Sequence, residues 1–120
     1  MRYRVLNLTR NTTLADRARL ADTFGARLVG LLGSSHLAPG DGLIIEPCAS
    51  VHTFFMRLTI DVIFVDARDV VIDVAHALPP WRTSRYYPGG RRVIELPAGL
   101  ASASLTQAGD ALDVKAVDGL

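Results

Sequence analysis

The chain has 120 residues and a mass of 13.0 kDa, a length that suits one domain over residues 1–120 and leaves a second too little chain to close its own core. Hydrophobic residues make up 49% and charged residues 21%, which excludes intrinsic disorder, while 13 basic against 12 acidic side chains give no global field that would favour nucleic acid. The one cysteine, Cys48, excludes an internal disulfide, and with neither an apolar leader nor an apolar run of about 18 residues, a soluble cytoplasmic protein with no membrane partner is expected.

Residues 3–8 set Tyr3, Val5 and Asn7 against Arg4, Leu6 and Leu8, the alternation of a strand with one fairly apolar face, and Asn11-Thr12-Thr13 reads as a turn. Leu14, Ala18, Ala21, Gly25, Leu28 and Leu32 fall near helical spacing, yet Asp22-Thr23 is a good helix N-cap in their midst. A strand is therefore expected before Asp22 and a helix after it, to about Leu32. Phe24, Leu28, Leu31 and Leu32 would form its buried stripe, and Gly33 would supply a left-handed C-terminal residue.

From Gly42 the pattern changes to strands. Residues 42–46 stop at Pro47, residues 51–56 are a β-branched and aromatic run, and residues 60–65 are nearly continuous apolar sequence, as in a strand covered on both faces. Asp66-Ala67-Arg68-Asp69 reads as a tight reversal, with Asp66 and Asp69 as turn residues. Residues 70–77 return from it and end at Pro79-Pro80, since neither proline has an N–H for a ladder. After an irregular loop come a strand at 92–96, the Pro97-Ala98-Gly99 turn, a short helix within 100–105, the Gly109-Asp110 turn and a last strand at 111–117. Connections too short for parallel crossovers predict an α+β fold, predominantly antiparallel and barrel-like, with two short helices.

Three groups of residues could carry chemistry. The first is the run from Cys48 to Met56. In an extended strand Cys48, His52 and Met56 share a face, but each pair of neighbours is separated by ~13 Å at ~3.3 Å per residue, too far for one metal ion or a direct thiolate–imidazole pair. A bulge near Pro47 would restore contact; otherwise Cys48 is a small buried thiol. The second is Asp61, a carboxylate inside an apolar strand, which must be exposed on an edge or hydrogen-bonded within. It is either satisfied by backbone N–H groups or, within reach of His52 and Thr53 or Thr59, able to position a polar ligand or move a proton.

The third group is residues 79–92, with Arg82, Arg85, Arg91, Arg92, Trp81, Tyr86 and Tyr87 and no acid, in a chain that elsewhere holds nine basic and twelve acidic side chains. Arginine forks beside aromatic faces suit phosphate or carboxylate, and Trp81 could stack on a sugar or base. The alternative is a solvated loop held down by its aromatics. A single patch on a near-neutral chain gives only weak nucleic-acid affinity, which argues against that partner. No Gly-rich phosphate loop, G-x-S-x-G elbow, paired-carboxylate motif or zinc-type Cys/His spacing occurs, and His36 and His76 lie on other elements, so neither a cofactor nor a metal is expected.

Five pieces in order, Arg27-Leu28-Val29-Gly30-Leu31-Leu32-Gly33, Gly42-Leu43 through His52-Thr53-Phe54-Phe55-Met56, Ile60-Asp61-Val62-Ile63-Phe64-Val65-Asp66, Glu95-Leu96-Pro97-Ala98-Gly99 and Gly109-Asp110, span nearly the whole chain. Together they resemble domain-of-unknown-function family 192, a bacterial and archaeal group. The resemblance implies a compact, β-rich α+β fold and no established reaction. Many members look exported, with a hydrophobic leader that this chain lacks. Many also carry an aromatic-Trp-Met-Lys-Asn-Thr string where this chain reads Phe54-Phe55-Met56-Arg57-Leu58-Thr59, so a role built on that Trp or Asn does not carry over.

The expected function is that of a non-catalytic binding protein for a small anionic or sugar-like ligand. The candidate ligand-binding residues are His52, Met56, Asp61, Trp81, Arg82, Arg85 and Tyr86. The alternative is a hydrolase in which His52 acts as general base, Asp61 orients it, and Cys48 or a water is the nucleophile.

Overall fold

The computed structural model describes residues 1–23, 26 and 36–117. Seven strands form one sheet: β1 (Arg2–Asn7), β2 (Thr12–Ala21), β3 (Leu43–Ile45), β4 (Ile60–Asp66), β5 (Val71–Leu78), β6 (Gly90–Pro97) and β7 (Leu112–Val117), in the order β5-β4-β6-β3-β2-β1-β7. One short helix, α1 (Leu100–Ala103), lies among the described residues. Two helices are expected from the sequence, and the body of the first lies outside the described residues. Only its opening is seen, where the Thr23 hydroxyl accepts from Ala26 N–H at 3.1 Å in N-cap geometry.

Neighbouring strands are antiparallel except β2 and β3, which run parallel from Arg19↔Leu43 to Ala21↔Ile45. The intervening residues 22–42 are long enough for the crossover that a parallel pair requires. The β4–β5 hairpin turns at the expected reversal, where Asp66 Oδ1 accepts from the N–H groups of Arg68 (2.9 Å) and Val70 (3.0 Å).

β4 is the spine. Ile60, Val62, Ile63, Phe64 and Val65 are all fully buried, with neighbours on both sides of the sheet. Ile63 and Val65 join Val5, Leu14, Ile44, Ile94 and Leu96 in one apolar cluster. Ile60, Val62 and Phe64 join Leu43, Ile45, Met56 and Val93 in another. Burying each such side chain contributes about 1.5 to 3 kcal/mol, so this one strand anchors both layers.

Two expectations are corrected. The sheet is not a closed barrel: its edge strands meet at the single bridge Val70↔Ala111, held by Val71 N–H to Asp110 O and Leu112 N–H to Asp69 O, both 2.8 Å. No β5–β7 ladder continues from that bridge, so the sheet stays open. Residues 51–56 are not a strand. Only His52 bridges, to Thr83, and Met56 N–H turns back to Thr53 O at 3.2 Å, because Thr53 is engaged elsewhere.

Candidate binding surface

Residues 48–56 and 79–91 run against each other as an irregular ribbon. Cys48 N–H donates to Arg91 O (3.0 Å), Tyr87 N–H to Ala49 O (3.0 Å), Ser84 N–H to Val51 O (2.8 Å) and Thr53 N–H to Arg82 O (2.8 Å). Thr53, fully buried, is the clasp. Its hydroxyl donates to Pro79 O at 2.6 Å and accepts from Arg82 N–H at 2.9 Å, while its carbonyl accepts from Trp81 N–H at 3.0 Å. These side-chain bonds offer the backbone an alternative to a regular ladder.

The clasp holds an aromatic group outward. His52 stacks on Phe54 with ring centroids 5.1 Å apart, Phe54 lies 6.0 Å from Trp81, and Phe55 lies 4.7 Å from Trp81. Phe55 is 71% exposed and Trp81 55%. Both have left-handed backbone, each at φ 65°. For a bulky side chain that conformation costs on the order of 1 to 3 kcal/mol and persists only where the surroundings impose it.

Positive charge borders the rings. Arg82 is exposed and donates from Nη1 to Trp81 O at 3.3 Å. Arg85 and Tyr86 are exposed further along the ribbon, and Arg91 is exposed at its far end. Arg92 is turned away from the group, paired with Glu46 at 3.0 Å and Asp69 at 3.4 Å. Tyr87 fastens the ribbon to the core, its ring 4.3 Å from Phe64 and its hydroxyl donating to Asp73 Oδ2 at 2.6 Å. Burial, helped by that hydrogen bond and by the Asp73 charge, pushes the Tyr87 phenol up from its ordinary value of 10.0, with nearby Arg85 opposing.

The structure brings His52, Trp81 and Arg82 together and puts Arg85 and Tyr86 on the same ribbon, with Met56 beneath it, whereas Asp61, between Ile60 and Val62 on β4, faces the other side of the sheet. Met56 is buried in the apolar cluster around Phe64. Asp61 is 0% exposed, with Oδ1 accepting from Ala77 N–H and Oδ2 from Ala101 N–H, both 2.8 Å. It ties the end of β5 and the start of α1 to β4. His52 is exposed and accepts on Nδ1 from Phe54 N–H at 3.3 Å, so its hydrogen bonding and that of Asp61 are separate. Cys48 is half-buried and donates from Sγ to Ser50 O at 2.9 Å. No group of three or more His, Cys, Asp or Glu among the described residues could hold a metal ion.

Sequence reasoning missed Phe54 and Phe55 as site residues and considered Thr53 only as a neighbour of Asp61 and His52, not as the clasp. The available signal was two adjacent aromatics beside His52, but reading residues 51–56 as a strand would have put Phe54 and Phe55 on opposite faces.

The fold defines a β-rich class: an open, mostly antiparallel seven-stranded sheet with a short helix against it and an aromatic ribbon outside it. The model of DUF192, an uncharacterized ACR family, matches residues 6–114, and the chain belongs to that family. A UPF0127 protein of Pyrococcus horikoshii is 36% identical over 112 residues, covering 88% of this chain and 94% of its relative. One from Thermococcus sibiricus is 33% identical over 113 residues, covering 91% and 73%. A solved structure of a protein of unknown function from Novosphingobium aromaticivorans superposes with a TM-score of 0.81 at 22% identity, covering 94% of this chain and 84% of that one, a likeness of fold alone. No helix among the described residues is long and apolar enough to cross a membrane.

Proposed function

We propose that this protein binds, without catalysis, a small anionic or sugar-like molecule on the aromatic ribbon. Trp81 and Phe55 offer ring faces for stacking, Arg82 and Arg85 supply forks for a phosphate or carboxylate, and His52 and Tyr86 border them. Met56 supports the surface from beneath, and Asp61 fixes the end of β5 at Ala77, from which the ribbon departs. The observation that carries this reading is the contact between two exposed aromatics, Phe55 and Trp81, both at φ 65°. The Thr53 clasp imposes this backbone and so presents the two rings preorganised for a ligand. In this reading the chain acts as one domain over residues 1–120 in the cytoplasm, where a lone thiol such as Cys48 stays reduced. The hydrolase alternative has no comparable support, because both Asp61 oxygens already serve backbone donors.

Trp81 is the chain's one tryptophan, so its fluorescence reports this surface directly. A screen of phosphorylated, carboxylated and sugar compounds should give a member that changes Trp81 emission saturably and, at 100 times its dissociation constant, adds about 2.7 kcal/mol to stability. The Arg82→Ala/Arg85→Ala variant should keep the fold and lose that response. A screen in which nothing alters Trp81 emission, or a double variant that binds as the parent does, refutes the reading.

A further inference from the structure

On the solvent side of β1 and β2 lies a cavity of about 330 Å³, lined by Arg2, Arg17, Arg19, His36, Leu37, Asp41 and Gly42. It is remote in sequence from the aromatic ribbon and shares no residue with it. Its floor is strapped down. Asp16 and Arg17 both donate their backbone N–H to Gly40 O at 3.1 Å, Arg19 N–H donates to Gly42 O at 3.0 Å, and Asp41 Oδ2 accepts from Ala38 N–H at 3.0 Å. Gly40 sits at φ +94°, and a Cβ there would fall 2.7 Å from both Arg17 Nη1 and Asp16 Oδ1. The left-handed backbone at this position favours glycine, and a side chain there would also displace the Arg17 and Asp16 termini.

Arg17 is held by all three of its nitrogens. Nε donates to Asp41 Oδ1 at 2.8 Å, Nη1 to Asp16 Oδ1 at 3.0 Å and Nη2 to Pro39 O at 2.9 Å. A guanidinium has five N–H donors, so one on each Nη stays unused while the fork is fixed in place. Both nearby carboxylates are engaged by Arg17. Arg2 and Arg19, next to the Tyr3↔Ala18 cross-strand pair on adjacent strands, line the same cavity and belong to no ion pair among the described residues. Two uncompensated arginines on neighbouring strands repel each other. A bound dianion would convert that repulsion into attraction.

We infer that this cavity is an anion site, independent of the aromatic ribbon, for the phosphate group of a small phosphate monoester. Arg2 and Arg19 carry the charge, the fixed Arg17 fork and His36 offer further N–H donors, and Leu37 supplies an apolar wall for the esterified carbon. The volume is at the small end of ligand pockets, which fits one phosphate with a short organic group. A monoester brings a dianion, whereas each phosphodiester of a nucleic-acid backbone brings one charge.

The test is a titration of the whole chain at low ionic strength with inorganic phosphate, with a phosphate monoester such as glycerol phosphate, and with a short oligonucleotide lacking terminal phosphate. It is followed by amide and arginine Nε resonances. Both phosphates should shift Arg17, Arg19, His36 and Gly42 saturably below about 10 mM, with Trp81 and Arg82 unmoved. Arg19→Gln should raise the dissociation constant at least about tenfold, as expected for one lost charge-assisted contact, and Arg2→Gln/Arg19→Gln should abolish the shifts. Both side chains are exposed, so an otherwise unchanged spectrum verifies the fold of the variants. Absence of saturable shifts, equal binding by the double variant, shifts at Trp81 and Arg82 instead, or an oligonucleotide that binds as tightly as the monoester would each overturn the inference.

Discussion

Replacing Glu95 with glutamine removes a carboxyl that β6 carries into the interior between Leu43 of β3 and Val62 of β4. Glu95 is only 3% exposed, and desolvation by burial pushes its pKa up from 4.5 to about 7. The sign of the consequence follows from proton linkage. Below about pH 4.5 the group is protonated whether the chain is folded or not, and burial of the neutral acid carries no charge penalty. Between pH 4.5 and 7 the unfolded chain releases the proton while the folded chain keeps it, so stability falls as pH rises. Above about 7 the folded group ionises too and the loss levels off. At 1.36 kcal/mol per pKa unit the total is about 3 kcal/mol. Glutamine has a similar shape and does not titrate. The stability of Glu95→Gln relative to the parent should therefore rise by about 3 kcal/mol between pH 4.5 and pH 8, whatever constant offset the buried amide introduces. Urea denaturation of both proteins at several pH values across this window measures it, and using the difference cancels the histidines common to both. A difference that stays flat, or that shrinks as pH rises, would show that Glu95 is not held as a desolvated acid.

Asp61→Ala leaves the buried Ala101 N–H and the more exposed Ala77 N–H without their acceptor and should cost about 1 to 3 kcal/mol, chiefly from Ala101; an unchanged denaturant midpoint would contradict this. Thr53→Val keeps the shape but removes the hydroxyl that joins Pro79 O and Arg82 N–H, so it should destabilise by about 1 to 3 kcal/mol and shift Trp81 emission. Unaltered emission would show that the clasp does not hold the aromatic ribbon. At Asp110 burial pushes the carboxyl up, but hydrogen bonds from Asn7, Arg10 and Gln107 N–H, with the Arg10 charge, outweigh it and leave the pKa below its ordinary 3.8. Its contribution is thus present above about pH 3.8 and lost as pH falls through the lower folded value, so Asp110→Asn should flatten the acid end of the stability profile. An acid limb identical to the parent's would refute that role.

β4 could be read from the chain because its signal is local and redundant. Five apolar residues around Asp61 permit little other than a strand covered on both faces, and the structure puts Ile63 and Val65 on one side and Ile60, Val62 and Phe64 on the other. The hairpin after it was legible for the same reason, since Asp66 caps N–H groups only two and four residues away. The end of β5 at Leu78 follows from Pro79-Pro80, prolines that cannot donate to a ladder. In each case the deciding interaction spans a few residues.

What only the tertiary structure decided depends on partners distant in the chain. Residues 51–56 have strand-like composition, yet Thr53 is claimed by Pro79 and Arg82, 26 and 29 residues away, and the resulting turn places Phe54 and Phe55 beside Trp81. Asp61 is ambiguous in sequence until Ala101, 40 residues on, offers its N–H. Glu95 shares parity with Val93 on β6, and alternation alone cannot say that a polar position will be enclosed. The arginine cavity collects side chains from β1, from β2 and from the loop before β3, and pairing Tyr3 with Ala18 is what puts Arg2 next to Arg19. Hydrophobic period and turn chemistry are short-range signals that a sequence carries openly, whereas charge convergence and burial of a polar group depend on which strands become neighbours, and that is settled when the sheet assembles.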